Sequence, residues 1–348
     1  MIPSPEPAAD AGASQAPQAA PPAAARNASS VSTPDGTPAG NPPRRRRRWP
    51  ALLRIVLVLG LLAWASSRVD MRELAATLRA ADGRFLALAA LGIVLSQFTA
   101  AWRWFRLLKA AGSHWSFARS LAVYAAGLFL GLFIPTGVGG DVYRIARMRG
   151  SGAGFARGTV TILLERAIGL WALLLLGCWL VWQEPTTRPW AGLFWSASAG
   201  GLVGFLALAI PGGPEWIGRL LGRRVREAFP PDSMDALRSA LPGTLGLSLL
   251  NHSWLVLVNL ALAHGLALAT PALAIAAAVP LVLLAAQVPI APGGLGVREA
   301  GYVFFLGRVG VPQSQALAVA LGWLALLLAV GLLGSIGLFA DREAKKSE

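Results

Sequence analysis

Residues Thr159 to Trp182 read TVTILLERAIGLWALLLLGCWLVW, an apolar run of 24 residues broken only by the adjacent charges Glu165 and Arg166. As a helix it would be about 36 Å long, enough to cross a hydrocarbon layer about 30 Å thick. The pattern recurs along the chain. Further apolar segments lie at about 51–66, 85–102, 120–135, 190–211, 243–265, 271–289, 300–311 and 314–339. Of the 348 residues, 55% are hydrophobic and 14% charged, whereas a soluble domain carries roughly 25% charged residues. Trp49, Trp102, Trp182 and Trp190 stand at the ends of apolar runs, where membrane-interface anchors are expected. The pattern predicts an all-α, polytopic membrane bundle of about eight spans, with re-entrant or broken helices.

The formal charge of +14 does not point to nucleic acid, because the basic residues fall between apolar runs rather than on one water-soluble domain. Cys178 is the only cysteine, so no intramolecular disulfide forms. His114, His252 and His264 are too scattered to suggest a metal site, and neither metal nor cofactor is expected. Residues 1–43 hold ten prolines and no aromatic residue, a composition that cannot bury enough apolar surface to offset its ordering entropy. The expected organisation is a disordered tail over 1–48 ending in Arg44–Arg48, a transmembrane domain over 49–340 and a short tail over 341–348. Met71, Leu74, Ala75 and Leu78 form one amphipathic stripe. Trp216, Ile217, Leu220, Leu221 and Val225 form another, flanked by Arg219, Arg223, Arg224 and Arg226. Both fit helices lying in the membrane interface.

Lys and Arg set the topology. If segment 120–135 enters and returns, Arg44–Arg48, Arg103, Arg106, Lys109, Arg119, Arg144, Arg147, Arg149, Arg157, Arg219, Arg223, Arg224, Arg226, Arg238, Arg342, Lys345 and Lys346 share one side. Only Arg68, Arg72, Arg79, Arg84 and Arg188 face the other. A full crossing there would shrink or reverse this bias, so the re-entrant reading is preferred, with both termini cytoplasmic in a bacterial inner membrane.

Two places break the helical pattern alike: Pro135-Thr136-Gly137-Val138-Gly139-Gly140-Asp141 and Pro292-Gly293-Gly294-Leu295-Gly296-Val297-Arg298. They share Pro-x-Gly-(Val/Leu)-Gly-x-charged at a spacing of 157 residues, each beside a short apolar segment. Proline ends a helix and glycine permits close backbone approach. Such backbone is costly in lipid and must be buried or line a polar cavity. Paired breaks in two halves point to a transporter-type site near the midplane. Three spans lie between them, so the two hairpins would enter from opposite faces, as inverted repeats require. Polar loops with tight turns would use the same residue types. Their pairing beside two short segments favours the hairpins.

Glu165 and Arg166 lie inside a span, where charges are costly unless paired or wet. They serve either a functional site or a structural ion pair, with Arg144 or Arg298 as partners. Arg54, near a span end, snorkels.

The ordered set Ile134-Pro135…Gly139-Gly140-Asp141-Val142…Arg144, Leu164-Glu165-Arg166 and Pro289…Pro292-Gly293-Gly294-Leu295-Gly296-Val297-Arg298-Glu299-Ala300 resembles the lysylphosphatidylglycerol synthase transmembrane-region family, also called flippase-like. Trp102-Arg103-Trp104 is similar to that family's early Arg-Trp motif. The resemblance covers roughly 50–340 and implies a domain that, in some relatives, moves an aminoacylated phospholipid between leaflets. With nine residues after Phe339, the soluble aminoacyl-transferase domain of the full-length synthases is expected to be missing, and with it the synthesis of lysyl-phosphatidylglycerol.

The resulting expectation is a flippase or translocase, not an enzyme, for an anionic or lipid-linked head group. Arg103, Arg144, Arg166 and Arg298 would contact phosphate. Asp141, Glu165 and Glu299 would orient them or bind a cationic head group. Pro135, Gly137, Gly139, Gly140, Pro292, Gly293, Gly294 and Gly296 would shape the groove. The alternative is a non-transporting partner subunit of an envelope-lipid or glycolipid enzyme. A membrane transferase using Asp141 has less support, for want of a metal or nucleotide motif. A cysteine placed at Ser347 in a Cys178→Ser background is expected to react only with reagents on the cytoplasmic side. Labelling from outside would overturn the topology.

Overall fold

The computed structural model of the chain describes residues 71–133, 139–148, 154–210, 231–287 and 296–338. Expectations for the two tails, segment 51–66, the Trp216–Arg226 stripe, and Pro135, Gly137, Pro292, Gly293 and Gly294 lie outside those residues. Every described element is helical. In chain order they are α1 Met71–Arg79, α2 Gly83–Ala110, α3 Phe117–Phe133, α4 Gly139–Met148, α5 Gly154–Gln183, α6 Ala191–Ala209, α7 Pro231–Gly265, α8 Ala272–Ala286, α9 Val297–Arg308 and α10 Gln313–Gly334. A single 3-10 turn, Arg188–Trp190, leads into α6.

Helix length separates full crossings from partial ones. α2, α5, α7, α10 and the unit formed by α6 with its 3-10 turn are long and apolar enough to span a membrane. α4 has 10 residues and α9 has 12. At about 1.5 Å per residue they reach only about 15 and 18 Å, too short for a hydrocarbon core of about 30 Å. Each instead packs back on the helix before it, α4 on α3 and α9 on α8. These pairs, α3 with α4 and α8 with α9, are the two re-entrant hairpins. Crossings α5, α6 and α7 lie between them, so the hairpins enter from opposite faces.

The packing is reciprocal. α2 lies along α7 more extensively than any other two described helices meet. α2 packs on α3 as α7 packs on α8, and α4 on α5 as α9 on α10. α5, which follows the first hairpin, packs on α8 of the second, while α10, which follows the second, packs on α3 of the first. This is the contact pattern of a two-fold inverted repeat made of α2–α5 and α7–α10. α6 stands outside it, with only 17% of its apolar window buried. Leu193, Trp195, Leu202, Val203 and Leu206 accordingly face outward.

Local chemistry fixes the helix ends. The Asp82 carboxylate accepts from the Arg84 N–H at the start of α2, and the Asp82 N–H donates to the Gly265 carbonyl at the end of α7. One residue thereby caps α2 and ties it to its repeat mate. Gly296 has φ +80°, which a side chain rarely adopts. Its N–H donates to the Glu299 carboxylate at 2.6 Å, closing the first turn of α9. The largest core cluster, with Leu262, Tyr302, Val319 and Trp323, joins α2, α7, α8, α9 and α10.

The apolar runs foretold the α5, α6, α8, α9 and α10 boundaries to within a few residues. They cut α2 and α7 short. α2 continues through Arg103, Arg106 and Lys109, and α7 begins at Pro231, twelve residues before the apolar run. Hydropathy stops at a charge, while backbone hydrogen bonding does not. The topology expectation counted Arg103 and Arg144 among surface loop charges, but both are buried inside the bundle. The bias between the two sides survives their removal.

A Cβ at Gly334 would lie 2.4 Å from the Ala125 carbonyl oxygen, so α10 touches α3 backbone to backbone. Gly334→Ala is expected to destabilise the detergent-solubilised protein by about 1–3 kcal/mol, the usual cost of overpacking. Gly200→Ala, with open space around it, is expected to leave the thermal midpoint unchanged or slightly raised.

Candidate functional site

Glu165 sits eleven residues into the 30-residue α5, about 17 Å from its first residue and about 27 Å from its last. That position lies well inside a helix long and apolar enough to span a membrane. An isolated carboxylate there would cost several kcal/mol. Glu165 is not isolated: its Oε1 accepts from Arg103 Nη2 of α2 at 3.0 Å, and its Oε2 accepts from Arg144 Nη2 of α4. One buried carboxylate therefore joins three helices.

The pairing continues outward. Arg144 Nη1 reaches Asp141 Oδ1 at 3.4 Å, one turn back on α4. Asp141 Oδ2 accepts from Arg166 Nε at 2.7 Å. The result is an alternating chain, Arg103–Glu165–Arg144–Asp141–Arg166, with an arginine at each end. The Arg103 end is buried and donates to Ser248 Oγ of α7 at 3.0 Å. The other end is open, the Arg166 side chain being 56% exposed against 14% for Asp141.

Aromatic faces hold the central arginine. The Arg144 guanidinium carbon lies 4.1 Å from the centre of the fully buried Trp104 ring and 4.8 Å from that of Tyr124. These contacts replace part of the hydration lost on burial. Glycines make the approach of α4 to α3 possible: a Cβ at Gly140 would lie 2.2 Å from the Gly127 carbonyl oxygen. Another glycine, Gly169 on α5, faces Arg103, whose Nη1 would lie 3.2 Å from a Cβ there.

Around this chain lies a cavity of about 480 Å³, within the usual range of small-molecule sites, about 300–1,000 Å³. All five charged residues line it. Leu128 and Leu132 of α3, Leu170 of α5 and Leu327 of α10 supply an apolar side. Asn251 and His252 of α7 and Gln287, at the tip of the second hairpin, supply neutral polar groups. His252 Nε2 donates to the Gly169 carbonyl at 2.8 Å, and its Nδ1, though buried, has no partner among the described residues.

Six expected site residues thus come together: Arg103, Gly140, Asp141, Arg144, Glu165 and Arg166. Gly139 is buried at the start of α4 but is not part of the lining. The expectation that Arg298 and Glu299 share the cavity is corrected. Arg298 Nη2 donates to Glu299 Oε1 at 3.0 Å, both residues are buried, and neither lines the cavity. Glu299 is already engaged by the Gly296 N–H, so this pair is satisfied at the start of its own helix. At the repeat spacing of 157, Arg144 corresponds to Gly301, so α9 has no guanidinium at that point. The ion-pair expectation for Glu165 holds with Arg144 as partner and fails for Arg298.

Tyr124, Asn251, His252, Ser248 and Gln287 escaped the sequence reading. A signal was present for three of them. Thr244, Ser248, Asn251, His252 and Asn259 recur at helical spacing within the run 243–265, a polar stripe that an apolar helix keeps only for a polar neighbour. Tyr124 and Gln287 carry no such pattern.

These features define a helical integral membrane protein with an inverted repeat and a charged cavity between two re-entrant hairpins. The chain belongs to the lysylphosphatidylglycerol synthase TM region family, whose sequence model matches residues 51–334. That membership ties it to membrane lipids. No curated protein matches the chain.

Glu165→Ala leaves Arg103 and Arg144 buried without their shared anion, and is expected to cost about 3–5 kcal/mol of stability. Arg166→Gln removes the exposed end of the chain and is expected to cost about 1 kcal/mol or less. Thermal unfolding in detergent compares the two; equal losses would show that Arg166 is as structural as Glu165.

Proposed function

We propose that this protein moves a phospholipid or lipid-linked head group between the leaflets of a bacterial inner membrane. The observation that carries the reading is the uneven charge chain, three arginines to two carboxylates, ending at the exposed Arg166 inside a cavity with an apolar side. A lipid presents matching chemistry: an anionic phosphate for the arginines and acyl chains for the leucines. The inverted hairpins support the same reading. Irregular backbone is tolerated at membrane depth where it borders a cavity, and paired half-helices are the usual frame of a midplane transport site. No chemical step on the lipid is part of this reading.

The orientation follows from charge. Arg106, Lys109, Arg119, Arg147, Arg157 and Arg238 lie on the side from which the first hairpin enters. Arg72, Arg79, Arg84, Arg188 and Arg308 lie on the other. Together with Arg44–Arg48 and the basic C-terminal sequence, this bias supports a cytoplasmic opening of the first hairpin and cytoplasmic termini.

Reconstitution of the full chain into liposomes with head-group-labelled anionic phospholipid tests the proposal. Movement faster than in protein-free vesicles is expected. Arg166→Gln should slow it about tenfold or more, the worth of a charge-assisted contact, while remaining folded. Movement no faster than in empty vesicles would reject translocation and favour the partner-subunit alternative.

A further inference from the structure

The cavity holds four carboxylate oxygens, and each already accepts from a guanidinium. Glu165 Oε1 and Oε2 are taken by Arg103 and Arg144, Asp141 Oδ1 and Oδ2 by Arg144 and Arg166. An ammonium entering this space would meet carboxylates already neutralised by guanidinium groups, and an arginine at either end of the chain. The charge surplus is one positive unit among the described lining residues. The sequence stretches 134–138 and 288–295 contain no charged residue.

The neutral part of the lining has its own character. His252 Nε2 must donate, because its partner is a carbonyl oxygen. In the neutral ring this leaves Nδ1 as an acceptor, and it is buried without a partner among the described residues, in a residue only 7% exposed. Asn251 Oδ1 accepts from Ser96 Oγ at 3.1 Å, which leaves its amide nitrogen to donate to an acceptor. Gln287 adds a second primary amide. An acceptor with nothing to accept, beside two amides, is the complement of a hydroxyl group.

We infer that the cavity selects a lipid with one net negative charge, whose phosphate bears an uncharged, hydroxylated head group that donates to His252 Nδ1. The inference rests on the reading that this cavity takes a lipid head group, and it sets the class. The phosphate meets the open N–H groups of Arg166. The hydroxyls meet His252, Asn251 and Gln287. Zwitterionic choline lipids and cationic aminoacyl lipids are disfavoured, because each brings a cation into a cavity whose charge surplus is already positive. A glycerol phosphodiester and a polyprenyl-phosphoryl hexose share the favoured chemistry.

Native mass spectrometry of the detergent-solubilised full chain tests this with five probes: phosphatidylglycerol, phosphatidylmethanol, phosphatidylcholine, lysyl-phosphatidylglycerol and a polyprenyl-phosphoryl hexose. Phosphatidylmethanol keeps the phosphodiester charge and lacks the hydroxyls. Phosphatidylglycerol or the hexose lipid should bind about fivefold more tightly than phosphatidylmethanol, the worth of one neutral hydrogen bond. Whichever of the two binds more tightly identifies the source. His252→Leu should lower that affinity about fivefold, toward the phosphatidylmethanol value. Binding of lysyl-phosphatidylglycerol or phosphatidylcholine as tight as that of phosphatidylglycerol overturns the inference, and this comparison stands even if His252→Leu does not fold. So does a preference that survives His252→Leu. Selective binding without movement in liposomes would sink translocation and keep this inference. Preferred movement of lysyl-phosphatidylglycerol would do the reverse.

Discussion

A carboxylate buried inside a membrane-spanning helix must be neutralised by its neighbours, and the arrangement of this bundle follows from how Glu165 meets that demand. It takes Arg103 from α2 and Arg144 from α4. To bring Arg144 there, α4 must lie against α3 at glycine-to-carbonyl distance and Arg144 must pass between Trp104 and Tyr124. To bring Arg103 there, α5 must carry Gly169 and α7 must offer Ser248. Five of the eight helices of the two repeats are thus positioned around one buried anion. Removing a partner from such a group costs more than the group itself contributes to stability. Stability alone is therefore a poor reason for its presence.

The two halves share packing but not chemistry. In the first, the hairpin helix α4 turns its charges outward to other helices. In the second, Arg298 and Glu299 satisfy each other and the start of α9. Tyr302, the next large residue on α9, donates to Asn259 at 2.6 Å within the apolar core. Gly301 stands where the first repeat has Arg144. The symmetry supplies a frame of two hairpins, and its breaking gives the charges of the described cavity to the first repeat. The second hairpin contributes Gln287 to that cavity.

Most of the fold was legible in the sequence because lipid removes alternatives: long apolar runs become helices, and short ones beside Pro-Gly motifs become hairpins. The charges of the site were legible for the same reason, since a charge inside a run stands out. Their pairing was not. Asp141 and Arg298 occupy equal places in the two motifs, which suggested a shared cavity, but Glu299 follows Arg298 and captures it locally. No residue beside Asp141 does the same, and its partners come from one turn away and from α5. The aromatic cradle depended on helix phase. Trp104 faces inward and Trp102 outward, and only the packing of α2 decides which. His252 looked like a scattered histidine until α7 was placed against Gly169.

The central claim is that the charge chain is built around a lipid head group rather than serving only to clamp helices together. Electron cryomicroscopy of the full chain in nanodiscs containing phosphatidylglycerol tests it most directly. The account predicts lipid density between the hairpin tips, with the phosphate against Arg166, the head group toward His252, and acyl chains leaving past Leu170. A cavity empty of lipid, with Arg166 turned to the head-group layer of the surrounding bilayer, would contradict it.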